Sequence, residues 1–322
     1  MKNSRKMFIL IESVLAFMLI LVAAAMLRER GGRQPERIAV ILREPDAGRW
    51  AAFKYGLRAA AEDMGVEVLI VSAEEQPDAA GEETMLKREI VNGADAVILQ
   101  PASGDMEELL ETIGTKVPVM LTGCPSYGDD EAQISATGPD NEAMGEALAE
   151  ELLADFGERL DGKTIGIFAG TDGSQELKER ADGFTQAIEG TGGVIDWTAG
   201  AASQEDAKDI LAEQTAVDFV ICLDDSSLVA AGKEAAAGNL HGARVYGIGH
   251  STEAVYYLDM GNVERLVVPD EFNVGYQSLT EVARRLDNRF YRMKNAVISY
   301  TVLYRETLFS GENQELFYTM SQ

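Results

Sequence analysis

Arg180 is the side chain best placed for recognition chemistry. It lies in GIFAGTDGSQELKERADGF (166–184), where an apolar run ends in a glycine-rich turn and helical spacing begins near Gln175, with Phe184 one turn further on. A guanidinium there can fork two hydrogen bonds onto neighbouring oxygens, which suits hydroxyl pairs or a carboxylate. The same spacing also allows a helix-surface ion pair with Glu176 or Glu179. Arg43, Arg49 and Trp50 follow an earlier apolar run. The indole can stack on a sugar ring or another flat apolar face, or fill a core. Thr122, Asp224, His250 and Asp270 occupy the same kind of position after other apolar runs. Asp224 and Asp225 can accept hydroxyl hydrogens or cap the helix that follows them. Three arginines in such places suggest a ligand bearing an acidic or oxygen-rich group.

Catalytic and metal signatures are missing. The only histidines are His241, in the turn AAGNLHGA, and His250, so a histidine-based metal site is improbable. There is no G-x-S-x-G, no H-E-x-x-H and no G-x-G-x-x-G after an apolar run. Gly157 to Thr164 (GERLDGKT) fits the spacing of a phosphate-binding loop, but a helical stretch precedes it and a strand-like run follows. That order is the reverse of what phosphate binding at a helix N-terminus requires, and Glu158 and Asp161 would repel a nucleotide. These absences leave neither catalytic chemistry nor a cofactor expected.

Charge narrows the partners. The chain has 28 basic and 54 acidic side chains, a net charge of -26. The first 33 residues carry six basic groups and two acidic ones, which leaves 22 against 52, or -30, for the rest. A body that anionic repels phosphate backbones, so a nucleic-acid partner is excluded. Cys124 and Cys222 form neither a disulfide framework nor a zinc pattern, and two buried free thiols are expected.

These side chains must be held by an alternating scaffold. Apolar runs at 37–43, 66–72, 95–101, 116–123, 163–170, 217–224, 243–249 and 265–269 read as short buried strands. Helical spacing fills 51–65, 141–157 and 206–216 between them. The pattern predicts an α/β chain whose parallel sheets are covered on both faces, in two sets divided near Gly138-Pro139. Ligands of open sheets bind beyond the carboxyl ends of the strands, which is where the residues named above fall. Ahead of this body, Met7 to Leu27 is one apolar run broken only by Glu12 and Ser13, after the basic Lys2, Arg5 and Lys6. Its length favours an uncleaved transmembrane signal anchor over a cleaved signal peptide.

Several stretches carry a family resemblance. The sequence around Arg180 resembles the second-lobe motif of periplasmic sugar-binding proteins of the ribose-binding class, in which an arginine precedes an x-x-Gly-Phe ending. NGADAVILQPAS (92–103) is similar to that family's Gly-x-Asp-Ala strand. GPDNEAMGEALAEEL (138–152) resembles its lobe crossover, and VDFVICLDDSSLVAAGKEAAAG (217–238) its strand, polar pair and helix. The ordered set spans residues 36 to 308.

The resemblance implies a type I periplasmic binding protein: two doubly wound parallel-sheet lobes joined by a hinge. Residues 36–139 plus 271–298 would form the N-terminal lobe, and 140–270 plus 299–322 the C-terminal one, with residues 1–35 as the anchor. It implies ligand contacts at Arg43, Ala47, Arg49, Trp50, Thr122, Gly123, Arg180, Asp224, Gly249 and Pro269, with His250 and Asp270 beside the last two. Thr122-Gly123 stands where the family usually has aspartate-arginine, so a simple pentose or hexose does not follow. The implied role is extracytoplasmic capture of a small polar, sugar-like ligand for an ABC importer. The alternative is a membrane-anchored sensor feeding a histidine kinase or chemoreceptor.

Overall fold

Strand β1 (Arg37–Arg43) is buried from Ile38 to Leu42, as a strand must be when helices cover both its faces. A computed structural model describes residues 14–20, 35–43, 50–73, 79–101, 113–114, 116–123, 134–157, 159–171 and 174–320. In it, β1 pairs in parallel with β2 (Glu67–Ala73) and β3 (Ala96–Leu99). β4 (Val119–Thr122), β5 (Ser135–Pro139) and β11 (Ala296–Ile298) complete a six-stranded sheet of order β11-β5-β4-β3-β1-β2, parallel throughout.

The second sheet contains β6 (Thr164–Gly170), β7 (Val194–Ala201), β8 (Phe219–Cys222), β9 (Arg244–Ile248), β10 (Arg265–Pro269) and β12 (Tyr300–Leu303). Its order is β12-β10-β9-β8-β6-β7. β12 runs antiparallel to β10, so this sheet is not purely parallel. The reason is local. Only Ser299 separates β11 from β12, so the chain passes from one sheet to the other without reversing direction.

Strand alternation sorts the cores. In the first sheet, Ile38, Val40, Ile98 and Met120 face α1 (Ala51–Met64) and α8 (Glu271–Asp287), packing with Phe53, Leu57, Val274 and Leu279. Ile41, Val97, Leu99 and Leu121 face the other way, with Leu86 of α2 (Ala79–Val91). In the second sheet, Ile165, Ile167 and Ile221 pack with α3 (Asn141–Phe156) and α4 (Gln175–Ile188). Phe168, Val220 and Cys222 pack with α5 (Gln204–Glu213), α6 (Asp225–Ala236) and α7 (Thr252–Asp259).

The helix pairs nearest the crossings touch backbone to backbone. A Cβ on Gly145 of α3 would collide with Arg180 O and Phe184 N of α4, and one on Gly183 with Glu142 O. The other sheet repeats this: Gly56 of α1 meets Phe272 O of α8, and Gly275 meets Phe53 O. In both pairs the glycine lies five residues after an aspartate that caps its helix, Asp140 for α3 and Asp270 for α8. These aspartates follow Pro139 and Pro269, the last residues of β5 and β10. Asp270 N–H also donates to Ser299 O at 3.2 Å, tying two of the three crossings together. Helix α9 (Gln314–Met320) touches both halves. Its Tyr318 ring lies 6.0 Å from Tyr55 of α1, while Met320 is buried with Leu303 and Leu308 beside the second sheet.

The chain divides into two compact units, Met1–Pro35 and Glu36–Gln322. In the first, residues 14–20 are helical with exposed apolar side chains. The rest of the proposed span from Met7 to Leu27 lies outside the described residues. Among the described residues, no helix is long and apolar enough to cross a membrane. The loop-like stretch GERLDGKT runs, as read, from a helix end at Phe156 into a strand at Thr164, with Gly157 left-handed at φ 82°.

Candidate functional site

The carboxyl ends of β5 and β10 lead directly into the crossings, so the strand tips of both sheets border the same gap. Asn141, the first residue of α3, is the junction there, and it is 1% exposed. Its Oδ1 accepts a hydrogen bond from Arg180 Nε at 2.9 Å. Its Nδ2 donates to Gly123 O, just after β4, and to Glu179 Oε2, both at 3.2 Å. Because arginine can only donate, the amide orientation is determined: its oxygen must face Arg180.

Arg180 is 7% exposed, so it does not lie on the helix surface, although the i,i+4 pair with Glu176 that spacing allowed is present. Nη1 donates to Leu223 O at 2.9 Å, and Nη2 is 4.0 Å from Glu176 Oε2. Two of its five N–H donors are committed to Asn141 and Leu223, and three are left for Glu176 and a ligand. Glu176 also reaches across the gap: a Cβ on Gly123 would collide with its carboxylate. Gly123 is left-handed at φ 93°, so the backbone favours glycine there, whereas the Glu176 carboxylate sits at the end of a flexible side chain that can shift.

The neighbouring loops are tied together by carboxylates. Asp224 Oδ1 accepts from Ser227 N at 2.9 Å, capping α6, and Oδ2 accepts from Gly170 N at 2.7 Å, joining the tip of β6. The capping residue is therefore Asp224. Asp225 Oδ1 instead accepts from His250 N and Ser251 N, both at 2.8 Å, and fixes the tip of β9. Beneath them Cys222 is a free, buried thiol; burial pushes its pKa well up, and the charge of Asp224 adds to this. Cys124 lies outside the described residues.

Among the eight candidate residues, Arg180, Asp224 and His250 are thus linked through Leu223 and Asp225 on one rim. Thr122 adjoins Gly123 on the opposite rim. By alternation its side chain shares the face of Met120 toward α8, and its hydroxyl is buried without a hydrogen-bonding partner among the described residues. Asp270 caps α8, accepting from Asn273 N at 3.1 Å. Trp50 precedes α1 and is 8% exposed, its ring 5.3 Å from Phe53 in an edge arrangement within the first core. Arg43 ends β1, paired with Ala73; its side chain, and the whole of Arg49, lie outside the described residues. Sequence reasoning passed over Asn141, although it stands in the crossover motif. It also missed the approach of Glu176 to Gly123, whose only signal was a glycine where an arginine is usual.

Comparisons with known proteins agree with this architecture. A periplasmic binding protein domain matches residues 38–289. The fold is that of a carbohydrate transporter solute-binding protein from Agrobacterium radiobacter, solved with D-arabinose, at TM-score 0.78 and 18% identity over 88% of this chain and 99% of that one. It is also that of an ABC transporter solute-binding protein from Agrobacterium vitis, bound to α-D-tagatopyranose, at TM-score 0.76 and 17% identity over 87% and 98%. A glucose-galactose binding protein from Geobacillus stearothermophilus gives TM-score 0.73 and 17% identity over 86% and 100%. No curated protein matches the chain. With its two wound sheets, triple crossing and convergent strand tips, the chain belongs to the periplasmic binding protein family.

Proposed function

We propose that this chain is an extracytoplasmic, non-enzymatic receptor that closes over a small polar, sugar-like ligand and presents it to an ABC importer. The observation that carries the reading is the Gly123–Asn141–Arg180–Leu223 chain, which links the tip of β4, the first crossing and the tip of β8 through a buried guanidinium with donors to spare. The bound sugars of the two Agrobacterium proteins support the ligand class. Arg180 is the central ligand contact, Arg43, Arg49 and Trp50 join it from the β1–α1 loop, and Thr122, Asp224, His250 and Asp270 line or shape the rims. Residues 36–139 with 271–298, and 140–270 with 299–322, move as the two lobes. The closed form is selected because it binds ligand better. Met7 to Leu27 serves as an uncleaved anchor.

A panel of pentoses, hexoses, sugar acids and nucleosides tests the ligand half. A true ligand at about 100 times its dissociation constant adds about 2.7 kcal/mol and raises Tm by roughly 5 °C or more. The radius of gyration should shrink with it. Silence from every class overturns the reading. Crosslinking in membranes tests the partner: a permease supports import, whereas a histidine kinase or chemoreceptor replaces it with the sensing role. A mature N-terminus at Met26 would remove the anchor.

A further inference from the structure

The pole of the first sheet opposite the gap carries an unusual surface. The eleven residues Arg284–Lys294 hold five of the chain's 28 basic side chains and one acid, Asp287, in a molecule of net charge -26. This segment leaves the end of α8 and leads into the start of β11, so it lies at the end of the sheet where β1 begins with Arg37. Within it Phe290 is 81% exposed, with Arg289 stacked over its ring at 4.9 Å, and Val297 beyond it is 62% exposed.

This loop is firmly mounted. The buried carboxylate of Glu281 accepts from Tyr291 Oη at 2.8 Å and from Lys294 N at 2.9 Å. Met293 O accepts from Ser135 Oγ, and Asn295 Oδ1 from Ala136 N, both at 3.1 Å. With Tyr291, Met293 and Asn295 fastened to the body, Phe290, Arg292 and Lys294 are held outward and exposed. Arg285, Arg292 and Lys294 make no side-chain hydrogen bond or ion pair among the described residues, and three of the acids at this pole have partners of their own. Asp95 accepts from Arg37 N, Glu67 pairs with Arg37 at 3.9 Å, and Asp63 accepts from Tyr276 Oη.

We propose that this pole rests on a membrane surface, with Arg289, Arg292 and Lys294 binding the phosphates of anionic lipid headgroups and Phe290 entering the interface. Cations ringing an exposed aromatic are the chemistry that an anionic bilayer attracts. Chain length is compatible with this: the nine residues Arg28–Glu36 between the apolar run and β1 span about 30 Å at most. That reach rests on the anchor reading; the charge and exposure do not.

The test uses full-length Phe290→Trp protein in vesicles with brominated acyl chains, read against the parent's Trp50 and Trp197. Extra quenching is expected with phosphatidylglycerol and not with phosphatidylcholine alone, and should vanish in high salt. Replacing Arg289, Arg292 and Lys294 by Gln should lower the quenched-to-unquenched ratio about 100-fold, at about fivefold per charge. Flotation with the vesicles but no extra quenching overturns the lipid contact and leaves the anchor standing. Equal quenching in both lipids overturns the headgroup recognition. If the introduced indole is shielded from acrylamide only when other envelope proteins are present, the proposal is also overturned, in favour of a protein partner. If the chain does not float with neutral vesicles, the anchor fails. Salt-sensitive sedimentation of the parent, but not the triple variant, with phosphatidylglycerol vesicles then still supports the pole, and its absence overturns it.

Discussion

Asn141 Oδ1 accepts the Nε–H of Arg180 at 2.9 Å, and this bond joins the first crossing between the sheets to the helix that carries the site's buried cation. The same amide donates to Gly123 O. Any change in the first crossing is therefore felt by the guanidinium.

Asn141→Asp should destabilise the protein by about 2 kcal/mol in urea unfolding, although it adds a charge beside arginine. A carboxylate cannot donate to Gly123 O, and it would face Glu179 in place of an amide. Arg180→Lys should keep the fold but weaken ligand binding about tenfold or more by calorimetry. An ammonium cannot reproduce the fork that reaches Asn141, Leu223 and a ligand together.

Gly123→Ala should weaken ligand binding, because its Cβ meets the Glu176 carboxylate when the halves approach. Glu176→Ala should restore part of the loss, with a coupling of about 0.5–3 kcal/mol in the double-mutant cycle. Strictly additive effects would show that the halves do not approach there in solution.

Gly145→Ala should cost roughly 3 kcal/mol, since its Cβ is driven into backbone atoms of α4 that cannot move aside alone. Gly157→Ala is the control. Nothing lies within 4 Å of its Cβ, and only the left-handed backbone is penalised, at about 1 kcal/mol. Chemical denaturation of both variants should reproduce that order.

Acid sensitivity has an identifiable contributor. The hydrogen bond from Lys163, helped by Thr164 N–H, holds the Asp218 carboxyl below its usual range. A depressed folded pKa stabilises the fold above the unfolded value of about 3.9 and loses that contribution as pH falls through the folded one. Asp218→Asn should therefore lower stability at neutral pH and flatten the decline below about pH 4. Unfolding curves from pH 2 to 7 would show it; parallel curves would refute it.

The strands built from β-branched residues were legible, and RIAVILR and RLVVP coincide with β1 and β10. β5 was not, because SATGP has small residues, a glycine and a proline. It is nonetheless buried throughout, where such residues allow the first crossing to turn. β7 was missed for another reason. As an edge strand it alternates exposed and half-buried residues and shows no apolar run. Near the crossings, the strand-tip rule pointed to the stretches that hold Arg180 and Asp224, yet side-chain direction was invisible to it. The edge-on packing of Trp50 against Phe53 and the placing of Thr122 on the face of Met120 could not be read from it. Backbone partners decided the rest: Leu223 O, Gly123 O and Gly170 N bind without regard to residue type, so no motif announces them.

The last helix alters the mechanics of the molecule. Three adjacent strands alone would make a door that swings freely on its pin. With Tyr318 against Tyr55 on one side and Met320 seated on the other, α9 bridges both halves, and if they open and shut as proposed it would act as a door-check that resists wide opening. On that reading the equilibrium between open and shut would be biased by an aromatic contact belonging to neither rim, and its free energy would enter every affinity measured for the gap.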